Sequence, residues 1–151
     1  MYEDLVDEIH KNGVEVVEVN FKGVFKGLYA DNAIAISSSI DTDAEKRCIL
    51  AEEIGHHYTS YGDILNSEDI ENIKQEKRAK NWGYEKLVGV MDIVNAHKNR
   101  ARSRHELAEY LNITENFLEE SIQHYREKYG LYYQIDHYIV YFDPLGVLEM
   151  F

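Results

Sequence analysis

Apolar and polar positions alternate with two different periods along this chain, and the switch between them divides it into elements. Leu5, Val6 and Ile9 recur at helical spacing over about 3–11, and Asn12-Gly13 closes that helix because glycine suits the left-handed position after a helix end. Residues 14–21, 25–30 and 33–37 are short runs rich in β-branched or apolar side chains, separated by Lys22-Gly23 and Asp31-Asn32, and predict three strands. The helical period returns after Thr42. Ala44, Cys48, Ala51, Gly55 and Tyr58 fall on one face, with Thr42 as N-cap and Glu45 as its reciprocal partner in a capping box. A second strong helix begins near Ser67, with Glu68, Asp69 and Glu71 at the positive end of its dipole. Its inner line runs Ile73, Glu76, Ala79 or Lys80, Gly83 and Leu87, and Gly83 leaves room for another helix to come close.

A helix over about 90–98 follows, then the one basic stretch, Lys98 to His105. Ser103 and Glu106 open another helix, Asn112-Ile113-Thr114 turns the chain, and 115–129 is helical with Phe117, Leu118, Ile122 and Tyr125 facing inward. This pair has the outline of a helix-turn-helix. The tyrosine-rich tail over 131–142 predicts a β-hairpin turning near Asp136-His137, or one long strand, closed by Asp143-Pro144-Leu145-Gly146. The order of elements is that of an α+β fold in a single domain, for which 151 residues suffice.

Composition narrows the function. No apolar run reaches the ~18–20 residues needed to span a bilayer. The start, Met1-Tyr2-Glu3-Asp4, does not have the pattern of a signal peptide, and the single Cys48 suits a reducing cytoplasm. A formal charge of −12 opposes binding to nucleic acid, and Glu115, Glu119 and Glu120 on the second helix of the helix-turn-helix outline oppose it locally. That segment reads as structural or partner-binding.

The candidate chemistry lies in Leu50-Ala51-Glu52-Glu53-Ile54-Gly55-His56-His57. Glu52 and His56 are four apart, so both side chains leave the same side of the helix one turn from each other. Two residues able to hold a metal at this spacing, with a glutamate after the first, repeat the geometry of H-E-x-x-H, in which two histidines bind zinc and the glutamate is the general base. Here the first histidine is Glu52, whose carboxylate is also a zinc ligand but gives a harder, more anionic site in which manganese or iron gains ground. Glu76 is a carboxylate on an otherwise apolar line and requires a cation, a donor or a metal, with Lys80 at i+4 as the plain salt-bridge partner. Other ligand candidates are His57, which points about 100° away from His56 on the helix, and Asp63, just past the helix end. The histidines at 10, 97, 105, 124 and 137 read as surface or packing residues, and Cys48 as a small core residue.

Together with Gln75-Glu76-Lys77-Arg78-Ala79-Lys80-Asn81-Trp82-Gly83, this stretch resembles the ImmA/IrrE family of metallopeptidases. The family pattern is H-E-x-G-H, then a downstream Glu followed at +3 by Ala and at +6 by an aromatic; Glu76, Ala79 and Trp82 keep those offsets. The resemblance covers about residues 14–125. It implies a zincin-like metallopeptidase core over 1–98, a helix-turn-helix-like segment over 99–130 and a β tail over 131–151 packed on the core. It implies a divalent metal, zinc first and manganese or iron as alternatives, held by Glu52, His56 and Glu76, with Glu53 as general base. The implied activity is endopeptidase cleavage of a helix-turn-helix repressor of a phage or other mobile element. The departure at Glu52 weakens Lewis acidity, so the alternative is a weak or inactive peptidase-like module that acts by binding such a regulatory protein.

Overall fold

A computed structural model of the chain describes residues 1–59 and 70–151. Among them are six helices and six strands: α1 (Tyr2–Lys11), β1 (Glu15–Val19), β2 (Gly27–Ala30), β3 (Ala33–Ser37), α2 (Asp43–Thr59), α3 (Ile70–Leu87), α4 (Val90–Lys98), α5 (Arg104–Leu111), α6 (Glu115–Tyr129), β4 (Tyr132–Ile135), β5 (Tyr138–Phe142) and β6 (Leu145–Glu149). The class is α+β. No described helix is long and apolar enough to cross a membrane.

The chain divides into two compact units, residues 1–83 and 84–151. In the first, β3 is the central strand of the order β1-β3-β2, parallel to β1 and antiparallel to β2. Asp31 and Asn32 join β2 to β3 with φ of 49° and 60°. Positive φ at both central residues is the geometry of a type I′ turn, whose twist matches that of the paired strands. Val14, Ile34 and Ile36 are fully buried, with Leu5 and Ile9 of α1 beside them in the core. Helix α2 lies over β2 and β3 and against α1. Thr42 caps it, accepting the Glu45 N–H at 3.1 Å. The reciprocal half of that capping box is not made: Glu45 sends its carboxylate to Lys26 at 2.6 Å, ahead of β2. Lys46 of α2 likewise reaches Glu18 of β1 at 2.6 Å.

The second unit holds the last turn of α3, helices α4 to α6 and the sheet β4-β5-β6, antiparallel throughout. Asn112, with φ of 54°, ends α5, and Thr114 caps α6 by accepting the Phe117 N–H at 3.1 Å. Leu118, Ile122, Tyr125, Val140 and Phe142 are buried together with Val94 and Leu107. The Tyr125 hydroxyl donates to the Val88 carbonyl at 2.7 Å.

Three expectations need correcting. The β tail is a three-stranded meander, not a hairpin. Leu145–Glu149 pairs with β5 along its whole length, although a five-residue run holding Gly146 and preceded by Pro144 has the composition of a turn. The boundary expected after residue 98 falls earlier, between Gly83 and Tyr84. Helix α4 buries Ile93, Val94 and Ala96 and packs on α5, β5 and β6, so it belongs with the C-terminal unit, where the tail packs on α4 and α6. Finally, Ile73 is exposed, and the buried side of the first half of α3 is Asn72 and Gln75. The start expected near Ser67, and Asp63, lie outside the described residues.

Candidate metal centre

Helix α2 presents Glu52 and His56 on one side and turns Glu53 about 100° from Glu52, and α3 must bring Glu76 to them from another part of the chain. Small residues make that approach possible. Gly55 is seated so tightly on Ala79 that an added Cβ would collide with the Ala79 carbonyl. One turn back on α2 and one turn on along α3, a Cβ at Gly83 would stand 3.4 Å from the backbone of Ala51 and Glu52. Ala51 and Ala79 are fully buried. The two helices therefore cross antiparallel with backbone near backbone along Ala51/Gly83 and Gly55/Ala79. His56 follows Gly55 by one residue, and Glu76 precedes Ala79 by three, which sets the two side chains next to each other.

His56 Nε2 lies 3.3 Å from Glu76 Oε2. One ligand atom from each of Glu52, His56 and Glu76 falls within 4.8 Å of the other two. In a tetrahedral site with bonds of about 2.0–2.1 Å, ligand atoms stand roughly 3.3–3.4 Å apart, so the His56–Glu76 separation is that of two ligands sharing an ion. His56 is buried, while Glu52 and Glu76 are half-buried. The cluster is thus closed on the imidazole side and accessible on the carboxylate side, as a site with a free coordination position requires. Burial holds His56 below its ordinary pKa, with Lys80 assisting and Glu76 opposing. The neutral imidazole is the ligand form. One nitrogen donor and two carboxylates fit a divalent ion, and the residues present can hold one.

Glu53 occupies a different environment. It is turned toward β2, where Gly27 makes room: a Cβ at 27 would stand 3.1 Å from Glu53 Oε1 and 2.7 Å from Ile49. Burial, and then the charges of Glu52 and Glu76, push its carboxyl up to about 8. A cation between Glu52 and Glu76 would counter the second cause and leave Glu53 as a carboxylate of raised basicity.

His57 is committed elsewhere. Its Nδ1 is 2.8 Å from the Tyr29 hydroxyl on β2, and its ring stands edge-on to Tyr29 and Tyr58. Trp82 packs on Tyr58, with ring centroids 5.3 Å apart, which gives the aromatic six residues after Glu76 a packing role. Cys48 is buried, and His124 is buried against Glu85 at 3.1 Å. Gly27 and the Tyr29–His57 pair escape sequence reasoning, since neither a strand glycine nor a single tyrosine among twelve carries a local signal. Gly55 is visible only as a member of an apolar face.

Comparison with protein-family models, curated proteins and solved structures finds no match.

Proposed function

We propose that the chain is a metal-dependent endopeptidase with a zincin-like site on α2 and α3. The observation that carries this reading is the convergence of Glu52, His56 and Glu76, from two helices, on one point beside the buried Glu53. Structural acidic pairs do not call for a neutral buried imidazole facing them, nor for a second, desolvated carboxylate one residue away. The resemblance to ImmA/IrrE peptidases adds the substrate class: a helix-turn-helix repressor of the same phage or mobile element.

Glu52, His56 and Glu76 would hold the ion, zinc in the first instance. When bound, it would polarise the scissile carbonyl and make water acidic enough to be deprotonated near neutral pH. Glu53 accepts that proton on its carboxylate and returns it to the leaving amine, the role for which a carboxyl of raised pKa is suited. Burial of Glu53 against Gly27 limits its rotamers and keeps it beside the ligand cluster. Among the described residues no strand pairs with β2 on the side away from β3, and an extended peptide can add to such an edge by main-chain hydrogen bonds.

A second reading is favoured by Glu52. Two anionic ligands lower the Lewis acidity of the ion, which suits a module that binds a repressor without cutting it. Incubation with the repressor encoded beside it, in zinc, manganese and iron(II) separately, distinguishes the two. Discrete fragments abolished by chelator and by Glu53→Gln support the peptidase. Intact repressor in every metal, with the biological effect unchanged by Glu53→Gln, supports the binding module.

A further inference from the structure

The basic stretch at Lys98–His105 takes no part in the metal centre. It borders a cavity of about 330 Å³ in the C-terminal unit, lined by Ile93 and His97 of α4, Arg102, Leu107 of α5, and Leu145 and Val147 of β6 among others. That volume lies at the lower end of the ~300–1,000 Å³ range of small-molecule sites. Among the described residues no carboxylate lines the cavity, in a chain whose formal charge is −12.

The cations at the mouth differ in how they are engaged. Arg104 is paired with Glu119 at 2.5 Å. Arg102 Nη1 donates to the His97 carbonyl at 3.1 Å and faces His97 Nδ1 at 2.9 Å. Both of those partners are neutral, since burial and the Arg102 charge hold His97 below its ordinary pKa. The nearby Glu106 carboxylate is engaged at the start of α5, by the Ser103 hydroxyl and the Arg102 main-chain N–H, not by the guanidinium. Among the described residues Arg102 therefore has no carboxylate partner for its guanidinium, and it stands at the rim of a pocket whose apolar side is Ile93, Leu107, Leu145 and Val147. A guanidinium at such a place favours a bidentate anion over a neutral polar group.

We propose that this cavity binds a small organic carboxylate with an apolar body, its carboxylate on Arg102 and its hydrocarbon part against Ile93, Leu107, Leu145 and Val147. The site is separate from the metal centre and stands whether or not the chain is a peptidase. Octanoate is the probe, titrated into the full chain and followed by amide and arginine side-chain N–H shifts. The expected result is saturable binding with shifts at 101–104, 107 and 145–147. Arg102→Gln should weaken it about tenfold or more, the range expected for losing a hydrogen-bonded charge partner, and octanol and octylamine should bind at least about tenfold more weakly than octanoate. Arg102 is exposed, so the variant should melt like the parent; Leu145→Asp, which places a like charge in the pocket, gives a second test and should also abolish binding. Equal affinity for octanoate and octanol, an unchanged constant in Arg102→Gln, shifts outside these residues, or no saturation by 10 mM on the order expected of weak small ligands would each overturn the proposal.

Discussion

Gly55 and Ala79 touch backbone to backbone where α2 crosses α3, with no space for a side-chain carbon on Gly55. This contact, not any bond between the acidic groups, sets the distance between His56 and Glu76. Like-charged Glu52 and Glu76 repel each other, and a helix pair held only by side chains would relax apart. The second close approach, Gly83 over the Ala51–Glu52 backbone, fixes the crossing as a line and prevents pivoting.

Gly55→Ala should therefore loosen the site. In an unconstrained helix the change would stabilise by about 1 kcal/mol through helix propensity. Overpacking of a tight contact costs roughly 1–3 kcal/mol, and here the obstacle is main chain, which cannot rotate away. A net fall in melting temperature is expected, with metal affinity reduced about tenfold or more, the scale seen when groups supporting a ligand are lost. An alanine variant that melts higher and binds metal as before would show that the helices are held apart by something else.

Removal of the proposed ligands one at a time should be felt unequally. Glu52→Ala, His56→Ala and Glu76→Ala should each lower metal affinity by more than the roughly 10–100-fold typical of outer partners, as read by chelator competition and elemental analysis of protein purified without added metal. His56→Ala should be the most damaging, because the imidazole is the one buried ligand and the only neutral one. Replacement of His57 should leave metal content unchanged, since its ring is engaged by Tyr29.

Glu53 makes metal-free protein sensitive to alkali. Its carboxyl is pushed from 4.5 up to about 8 by burial and by Glu52 and Glu76, so the folded chain binds this proton more tightly than the unfolded chain. Stability from this group is complete below about pH 4.5 and is lost as pH rises toward 8, with a slope approaching about 1.4 kcal/mol per pH unit. In urea titrations with chelator present, the parent should weaken over that window, and Glu53→Gln should flatten the profile and be the more stable protein at pH 8. Equal slopes for the two would place the carboxyl in contact with solvent.

Local signals account for much of this architecture. Thr42, Ser103 and Thr114 cap helices because a short side-chain oxygen competes for an end N–H within three residues. Asp31-Asn32 turns because both residues tolerate positive φ. The Glu52–His56 spacing follows from helix pitch alone. What the residues could not disclose depends on partners far along the chain. Glu45 leaves its capping role for Lys26 because a full charge outbids a main-chain N–H. Leu145–Glu149 becomes a strand because β5 offers an unpaired edge. Gly27 matters only through Ile49 and Glu53, far along the chain on α2, and Ile73 faces outward because the crossing selects Ala79 and Gly83 as the inner side of α3.

Glu52→His separates the electrostatic cost of this ligand set from its geometry. The substitution exchanges one anionic donor for a neutral one at the same place on α2, and two consequences act in the same direction. An ion held by two imidazoles and one carboxylate keeps more of its charge for a carbonyl or water. Glu53 also loses the larger of its two charged neighbours, so it is deprotonated at lower pH and available as base over more of the neutral range. Cleavage of an unfolded protein substrate with zinc should rise about tenfold, equivalent to roughly 1.4 kcal/mol of barrier, and zinc should gain over manganese in competition because nitrogen ligands favour the softer ion. The extra rate should vanish in Glu52→His combined with Glu53→Gln. If cleavage instead falls while zinc affinity rises, the carboxylate at 52 does more than hold metal, and the acidic ligand set is itself part of how this protein works.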